Sequence, residues 1–200
     1  MRGGMARVAG LRKFAILPRA QFRPPMSRLI ISSYAQLAET VRQHRPSHVV
    51  SLMVEPFVET PESILPERHL RLCVHDVSEP AEGAVAPASD HIANLLAFAR
   101  SWDRRDPLLV HCWAGISRST AAAYIMMCDV RGPGHEAAVA RELRELAPHA
   151  QPNRLMIRHA DELLERNGRM IAAVEAMGEA RIVWEADIVE LMLRPESTDA

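Results

Sequence analysis

The chain has 200 residues, the size of one ordinary domain with short additions. Hydrophobic residues make up 48% of it, enough for a sizeable core, whereas aromatic residues make up 4%, too few for a stacking surface for single-stranded nucleic acid. The net charge of −1 creates no overall field for nucleic acid or an anionic membrane. The longest apolar run, residues 121–128, is far shorter than the roughly 18 residues of a membrane span. Three cysteines are too few for a disulfide framework and indicate a reducing, cytoplasmic compartment.

The positive charge is concentrated at the start of the chain. Residues 1–25 contain six cationic side chains and no acidic ones. Their apolar stretch, residues 14–17, is too short for a secretory signal, and three prolines interrupt any long helix. We therefore expect a flexible basic extension over residues 1–25. A transit peptide or a basic arm that binds a partner is the alternative.

Strands and helices alternate along the following residues. Apolar, β-branched segments predict strands, the first of them at a sheet edge, over residues 29–32, 48–54, 70–77 and 108–111. Apolar residues at helical spacing predict helices over residues 33–45, 89–100, 118–130, 135–147 and 153–167. Proline-containing loops are expected over residues 55–67 and 78–89. This order predicts an α/β fold with a short central, mainly parallel sheet flanked by helices, in one domain of residues 26–167.

The end of the chain keeps an apolar pattern at helical spacing, starting with Met170, Ile171, Val174 and Met177. The pattern predicts a helical extension over residues 168–200, folded against the preceding domain. An exposed apolar stripe must be buried somewhere, so a homodimer through these helices is the alternative.

Residues 108–120 carry the chemistry; they read Leu-Leu-Val-His-Cys-Trp-Ala-Gly-Ile-Ser-Arg-Ser-Thr. A buried strand ends at Cys112, and a loop containing Gly115 leads into an apolar helix. Such a loop directs backbone N–H groups and a helix N-terminus at one point, which favours an anion and biases the thiol toward thiolate. Arg118, at the start of that helix, can bind two oxygens of a tetrahedral anion.

A thiolate inside a phosphate-binding loop suits attack on phosphorus and formation of a phosphocysteine. The leaving group then needs a proton from a carboxylic acid on a neighbouring loop. Ser119 could stabilise the departing thiolate, and His111 could brace the loop. The phosphoryl oxygens would be held by Arg118 and by the backbone of Trp113, Ala114, Gly115, Ile116 and Ser117.

These residues resemble the dual-specificity branch of the protein tyrosine phosphatase superfamily, whose motif is His-Cys, five residues, Arg, then Ser or Thr. His111, Cys112, Arg118 and Ser119 match it, and Pro152-Asn153 matches the start of a later helix, so that the resemblance spans residues 28–167. It implies the cysteine phosphatase fold and a phosphatase that needs no metal or organic cofactor. The implied substrates are phosphorylated proteins or small phosphoesters, not nucleic acid.

The resemblance also implies a general acid some 30 to 40 residues before the cysteine. Asp76, at the end of the strand that precedes the loop strand, has this spacing, and Asp90 is the competitor. Asp90 follows Ser89 at a predicted helix start, where a capping role suits it better.

Four alternatives stay open. Sulfurtransferases also hold a cysteine between a strand and a helix, and a phosphate-binding pseudophosphatase would keep the same loop. A nucleotide or an inositide could replace a protein substrate, although the loop lacks the lysines that lipid phosphatases of the superfamily place there. We expect Cys73, on the predicted strand before the loop strand, to lie in the core; a disulfide with Cys112 under oxidation is the alternative.

Overall fold

A computed structural model describes residues 27–193, so the extension predicted for residues 1–25 lies outside the described residues. Five strands form one sheet in the order β3-β2-β4-β1-β5. The strands are β1 (Ser27–Ser33), β2 (His48–Leu52), β3 (His69–Leu72), β4 (Leu108–Cys112) and β5 (Val189–Leu193). The α-helices are α1 (Leu37–His44), α2 (Ser89–Ser101), α3 (Arg118–Arg131), α4 (Glu136–Leu146), α5 (Arg154–Leu163) and α6 (Arg169–Glu175).

The first four strands are parallel, and only β5 runs antiparallel, on β1. This arrangement confirms the predicted mainly parallel sheet flanked by helices. Parallel strands end at the same edge of a sheet, and here Ser33 and Cys112 are paired at that edge. One residue earlier on β4, His111 is paired with Ser51 of β2. The carboxyl ends of three strands therefore meet around Cys112.

Both faces of the sheet are covered, as a parallel sheet requires. On one face the alternate residues Leu29, Ile31, Val50 and Val110 join the larger apolar core with α2 to α6. On the other face Ile30, Val49 and Leu109 pack with Leu37 of α1 and with Val58 and Ile64 of the loop after β2. Because side chains alternate along a strand, Cys112 faces the helix α3 side and His111 faces the α1 side.

Helix α3 is buried from Arg118 to Cys128, which explains why its sequence is apolar almost all round. Five residues separate the end of β4 from the start of α3, so that the N-terminus of α3 lies at the carboxyl edge of the sheet. The sequence pattern and the position of α3 agree: a helix without a solvent face belongs in the middle of the domain.

The end of the chain differs from the predicted helical extension. Within residues 168–193, the part of this extension that the structure describes, only residues 169–175 are helical. The chain then continues in irregular structure and adds β5 beside β1. The alternation in β5, where Val189, Leu191 and Leu193 are buried and Glu190 is exposed, suits a half-buried strand. The prediction that the first strand lies at an edge is wrong for the same reason, because β5 covers β1.

Helix α6 buries Met170 and Ala173 in the core that α4 and α5 share. This packing covers part of the apolar stripe that suggested a homodimer. Between residues 27 and 193, no helix combines the length and the apolar character that crossing a bilayer demands.

Candidate active site

The loop of residues 113–117 joins β4 to α3, and surrounding segments hold it through its carbonyl groups. Trp113 O accepts from Tyr34 N at 3.0 Å, and Ala114 O accepts from Ala186 N at 2.9 Å. On the other side, Ile116 O accepts from Gln151 N at 3.0 Å, and Ser117 O accepts from the backbone N–H groups of Asn153 and Ala121. In a trans peptide the N–H points opposite to the C=O. Outward carbonyls therefore turn the N–H groups that follow them toward the inside of the loop, as an anion site needs.

Gly115 allows the loop to pass close to β1. Its φ of 76° lies in the left-handed region, and an added Cβ would lie 3.1 Å from the carbonyl carbon and oxygen of Ser32. It would also lie 3.1 Å from the Cβ of Ala186. Glycine is the residue that combines this dihedral angle with this close approach.

Cys112 lies at the base of the loop, and its side chain is buried. Its Sγ is 3.2 Å from the hydroxyl of Ser119, within hydrogen-bond distance. Arg118 is the first residue of α3 and is also buried, with Nη1 donating to Val74 O at 2.9 Å. Its Nε is buried and has no hydrogen-bond partner in the described residues, so this donor is available to a bound anion.

Asp76 reaches the same loop from the segment after β3. Its Oδ1 accepts from Ser117 Oγ at 2.6 Å and from Asn153 Nδ2 at 2.8 Å. Its Oδ2 lies 3.8 Å from Nε of Arg118, and 40% of the side chain is exposed. Asp90, in contrast, lies in the first turn of α2 and is exposed. The structure thus brings Asp76 to the loop, as the sequence predicts.

His111 is completely buried on the opposite face of the sheet from Cys112. Its Nε2 lies 2.6 Å from the hydroxyl of Ser51. Burial lowers the pKa of His111 to about 4, so the ring is neutral at pH 7.

Two contributors to the site were missed at the sequence level. Ser117 was expected to act through its backbone, but its hydroxyl also anchors Asp76. Asn153 caps α5 through Met156 N and donates to both Asp76 and Val77 O. The Pro152-Asn153 pair marked a helix start, and nothing in its sequence pointed to a contact with Asp76.

Trp113 forms one rim of the site. Its side chain is 58% exposed and stacks on Tyr34 with 6.0 Å between the ring centroids. An exposed, flat aromatic surface therefore lies directly beside the loop.

Cys73 is exposed, so its predicted place in the core is wrong. Strand β2 lies between β3, which Cys73 follows directly, and β4, which ends at Cys112. Two strand spacings amount to about 10 Å, more than the roughly 7 Å that a disulfide tolerates between Cα atoms. A bond between Cys73 and Cys112 would require the backbone to move.

The part of the chain that the structure describes contains no group of three or more His, Cys, Asp or Glu side chains that could hold a metal ion. The side chains of Ser117 and Arg118 at the loop carry hydrogen-bond donors, and Asp76 adds one carboxylate at the rim.

Comparison with known proteins adds information on the fold. No protein-family model matches the chain, and no curated protein matches it. Among solved structures, DUSP15 is 22% identical with a TM-score of 0.54, and the match covers 78% of this chain and 96% of DUSP15. A mouse putative dual specificity phosphatase complexed with zinc tungstate is 21% identical with a TM-score of 0.53, covering 82% and 98%. PTPMT1 in complex with PI(5)P is 15% identical with a TM-score of 0.51, covering 76% and 94%.

These similarities show that the chain has the fold of the dual-specificity phosphatases. The fold predicted from the motif around Cys112 is thereby confirmed.

Proposed function

We propose that this chain is a cysteine-dependent phosphomonoester phosphatase of the protein tyrosine or dual-specificity type. The observation that carries the proposal is the meeting of Cys112, Arg118 and Asp76 at one loop whose carbonyls are turned outward. This is the combination that phosphoryl transfer needs: a nucleophile, a cradle for the phosphoryl oxygens and an acid.

In the first step, the backbone N–H groups of the loop and the guanidinium of Arg118 hold the phosphoryl oxygens. The thiolate of Cys112 attacks phosphorus in line with the leaving oxygen, so a P–S bond forms while the P–O bond breaks. Oδ1 of Asp76 already accepts two hydrogen bonds, which leaves Oδ2 to carry the proton that the leaving oxygen takes.

In the second step, a water molecule attacks the phosphocysteine. Asp76, now a carboxylate, accepts a proton from that water, the P–S bond breaks, and inorganic phosphate leaves. The sulfur departs as a thiolate. The hydroxyl of Ser119, 3.2 Å from Sγ, can donate a hydrogen bond to it.

A phosphorylated protein is the substrate class that we favour, because the exposed Trp113–Tyr34 pair offers a stacking surface beside the loop for an aryl phosphate. A nucleotide or inositide phosphate is the second candidate, since one structure of this fold is a complex with PI(5)P. The absence of lysine from residues 113–117 argues against inositides that carry several phosphates.

The test is phosphate release from aryl phosphate, phosphotyrosyl and phosphothreonyl peptides, a nucleotide and an inositide. We expect release from at least the aryl phosphate, and we expect Cys112→Ser to abolish it while tungstate still binds. Cys73→Ser, at an exposed cysteine away from the loop, is the matched control and should keep wild-type activity.

Three results would contradict the proposal. Undiminished turnover by Cys112→Ser would remove Cys112 as the nucleophile. A wild-type protein that binds tungstate but releases no phosphate from any substrate would be a pseudophosphatase, whereas sulfur transfer from thiosulfate would indicate a sulfurtransferase.

A further inference from the structure

Five polar side chains form a continuous hydrogen-bond chain on the α1 face of the sheet. Nη2 of Arg71 lies 2.6 Å from Oγ1 of Thr60, which lies 3.1 Å from Nδ1 of His69. Nε2 of His69 lies 2.7 Å from the hydroxyl of Ser51. The same hydroxyl lies 2.6 Å from Nε2 of His111, the residue before the proposed nucleophile. The chain thus connects a half-buried arginine with the catalytic loop.

The direction of the chain follows from Arg71, because a guanidinium can only donate. The hydroxyl of Thr60 accepts a hydrogen bond from Arg71 and can donate its own hydrogen bond to Nδ1 of His69. His69 then carries its proton on Nε2 and donates to Ser51.

The hydroxyl of Ser51 lies between the imidazoles of His69 and His111. It has one proton and can donate to only one of the two rings, so the direction of this hydrogen bond sets the tautomer of both histidines. Ser51 accepts from His69 and therefore donates to Nε2 of His111. His111 must then carry its proton on Nδ1. This argument needs neutral rings, and burial provides them, since it lowers the pKa of both histidines to about 4.

The opposite direction satisfies fewer groups. The Thr60 oxygen would accept hydrogen bonds from both Arg71 and His69. The hydroxyl proton of Thr60 would then have no acceptor among these two partners. His111 would also present a bare lone pair at Nδ1. The backbone of Cys112 raises the pKa of His111, which favours a proton on the nitrogen that faces this backbone, because Nε2 faces Ser51.

The donor at the far end of the chain is itself held in place. Nε of Arg71 donates to Val58 O at 2.7 Å, and its guanidinium lies over the ring of Phe57 at 5.0 Å. The loop after β2 therefore fixes Arg71 in the orientation in which Nη2 meets Thr60.

We propose that Ser51, Thr60, His69 and Arg71 are positioning residues that hold His111 as the Nδ1–H tautomer beside the backbone of Cys112. The effect on catalysis rests on the proposed function, whereas the tautomer is a property of the folded chain. A ring held in one orientation at this point restrains the backbone at the start of the loop.

The tautomers can be measured directly by long-range ¹H–¹⁵N correlation of the imidazole nitrogens in full-length, ¹⁵N-histidine-labelled protein. We expect a proton on Nε2 in His69 and on Nδ1 in His111. In Thr60→Val, which has the same shape but no hydroxyl, both rings should become tautomeric mixtures. Thr60→Ser should restore the wild-type pattern. If Thr60→Val does not fold, Arg71→Met removes the donor that sets the direction and is expected to give the same mixtures.

Kinetic measurements distinguish an effect of Thr60 on the position of His111 from a purely structural role of Thr60. With an aryl phosphate, we expect kcat of Thr60→Val to fall about tenfold, a loss comparable to that of an outer hydrogen-bond partner in metal sites, with little change in KM. Thr60→Ser should restore kcat. Arg68→Met, a matched loss of positive charge on an exposed residue nearby, should behave like the wild type.

A proton on Nε2 of His111 in the wild type would overturn the proposal. So would pure, unchanged tautomers in Thr60→Val and Arg71→Met, because the chain would then not set them. If no phosphoester is hydrolysed, the proposed function fails, but the NMR result still decides the tautomer.

Discussion

The two oxygens of Asp76 have different surroundings, and this asymmetry fits a residue that must be held and still react. Oδ1 is fixed by Ser117 and Asn153, whereas Oδ2 faces Arg118 across 3.8 Å at the mouth of the loop. A carboxyl anchored through one oxygen can present the other to a leaving group without losing its orientation.

Replacement of Asp76 by asparagine should therefore remove the proton donor and keep the anchor. For an alkyl phosphate, whose leaving oxygen needs the proton, we expect kcat to fall by about 10²–10⁴, the range typical of general acid catalysis. For a nitrophenyl phosphate, whose leaving group departs unprotonated, the loss should be much smaller. Steady-state kinetics over a series of leaving groups measures this difference.

Asp90→Asn is the matched control, because Asp90 lies in the first turn of α2 and is exposed. It should give the wild-type dependence on the leaving group. An equal loss for every leaving group in Asp76→Asn would assign the proton to another residue.

At the scale of secondary structure, the N-terminus of α5 serves both the helix and the site. Oδ1 of Asn153 accepts from Met156 N at 3.0 Å and caps the helix, while Nδ2 donates to Asp76 at 2.8 Å. One side chain thus couples the start of a helix to the position of Asp76, the proposed general acid. The two functions use different atoms, so they can be separated by substitution.

Asn153→Asp retains the acceptor that caps α5 and replaces the donor to Asp76 by a second carboxylate oxygen. We expect the free energy of unfolding to change by less than about 1 kcal/mol, the value of a typical cap. Hydrolysis of alkyl phosphates should slow markedly, because repulsion between the carboxylates displaces Asp76. Denaturant unfolding and kinetics on the same preparations measure the two effects.

Asn153→Ala, which removes both functions, provides the comparison and should lose about 1 kcal/mol of stability as well as activity. Stability losses of the same size in both variants would show that the cap and the anchor cannot be separated.

The elements of the site differ in how far the sequence predicts them. The strand, loop and helix around Cys112 are contiguous, so their apolar pattern and spacing predict where Cys112 and Arg118 lie relative to each other. The strand order brings Ser51 and His69 together with His111 across three strands, and isolated polar residues in a strand carry no signal of such a contact. The same strand order separates Cys73 from Cys112, which sequence adjacency of the predicted strands could not reveal.

Strand β5 illustrates the same limit. Its five residues alternate in burial, but the preceding apolar residues at helical spacing favoured a helix. What makes residues 189–193 a strand is the free edge of β1, some 160 positions earlier in the chain. Pairing over such a separation depends on the whole fold and not on local pattern.

At the scale of the whole molecule, the end of the chain completes the surroundings of the loop. After α6 the backbone returns to the carboxyl edge of the sheet, where Ala186 N donates to Ala114 O and Glu185 accepts from the hydroxyl of Ser33 at 2.5 Å. The chain then enters β5. The loop is therefore held by residues from both halves of the domain, so that its geometry depends on the folded state as a whole.

The buried histidines make the free energy of unfolding depend on pH. Burial lowers the pKa of His111 and of His69 to about 4, whereas an unfolded chain has histidine pKa values near 6.5. Between pH 6.5 and 4 the unfolded chain binds protons that the folded chain does not. The free energy of unfolding should therefore be highest above pH 6.5 and decrease as the pH falls, by about 1.4 kcal/mol per pH unit for each such proton.

Replacing His111 by asparagine removes one of these protons, so the slope of the free energy of unfolding against pH should be shallower in this variant between pH 6.5 and 4. Urea unfolding at a series of pH values measures both slopes, and equal slopes would mean that His111 is protonated in the folded protein.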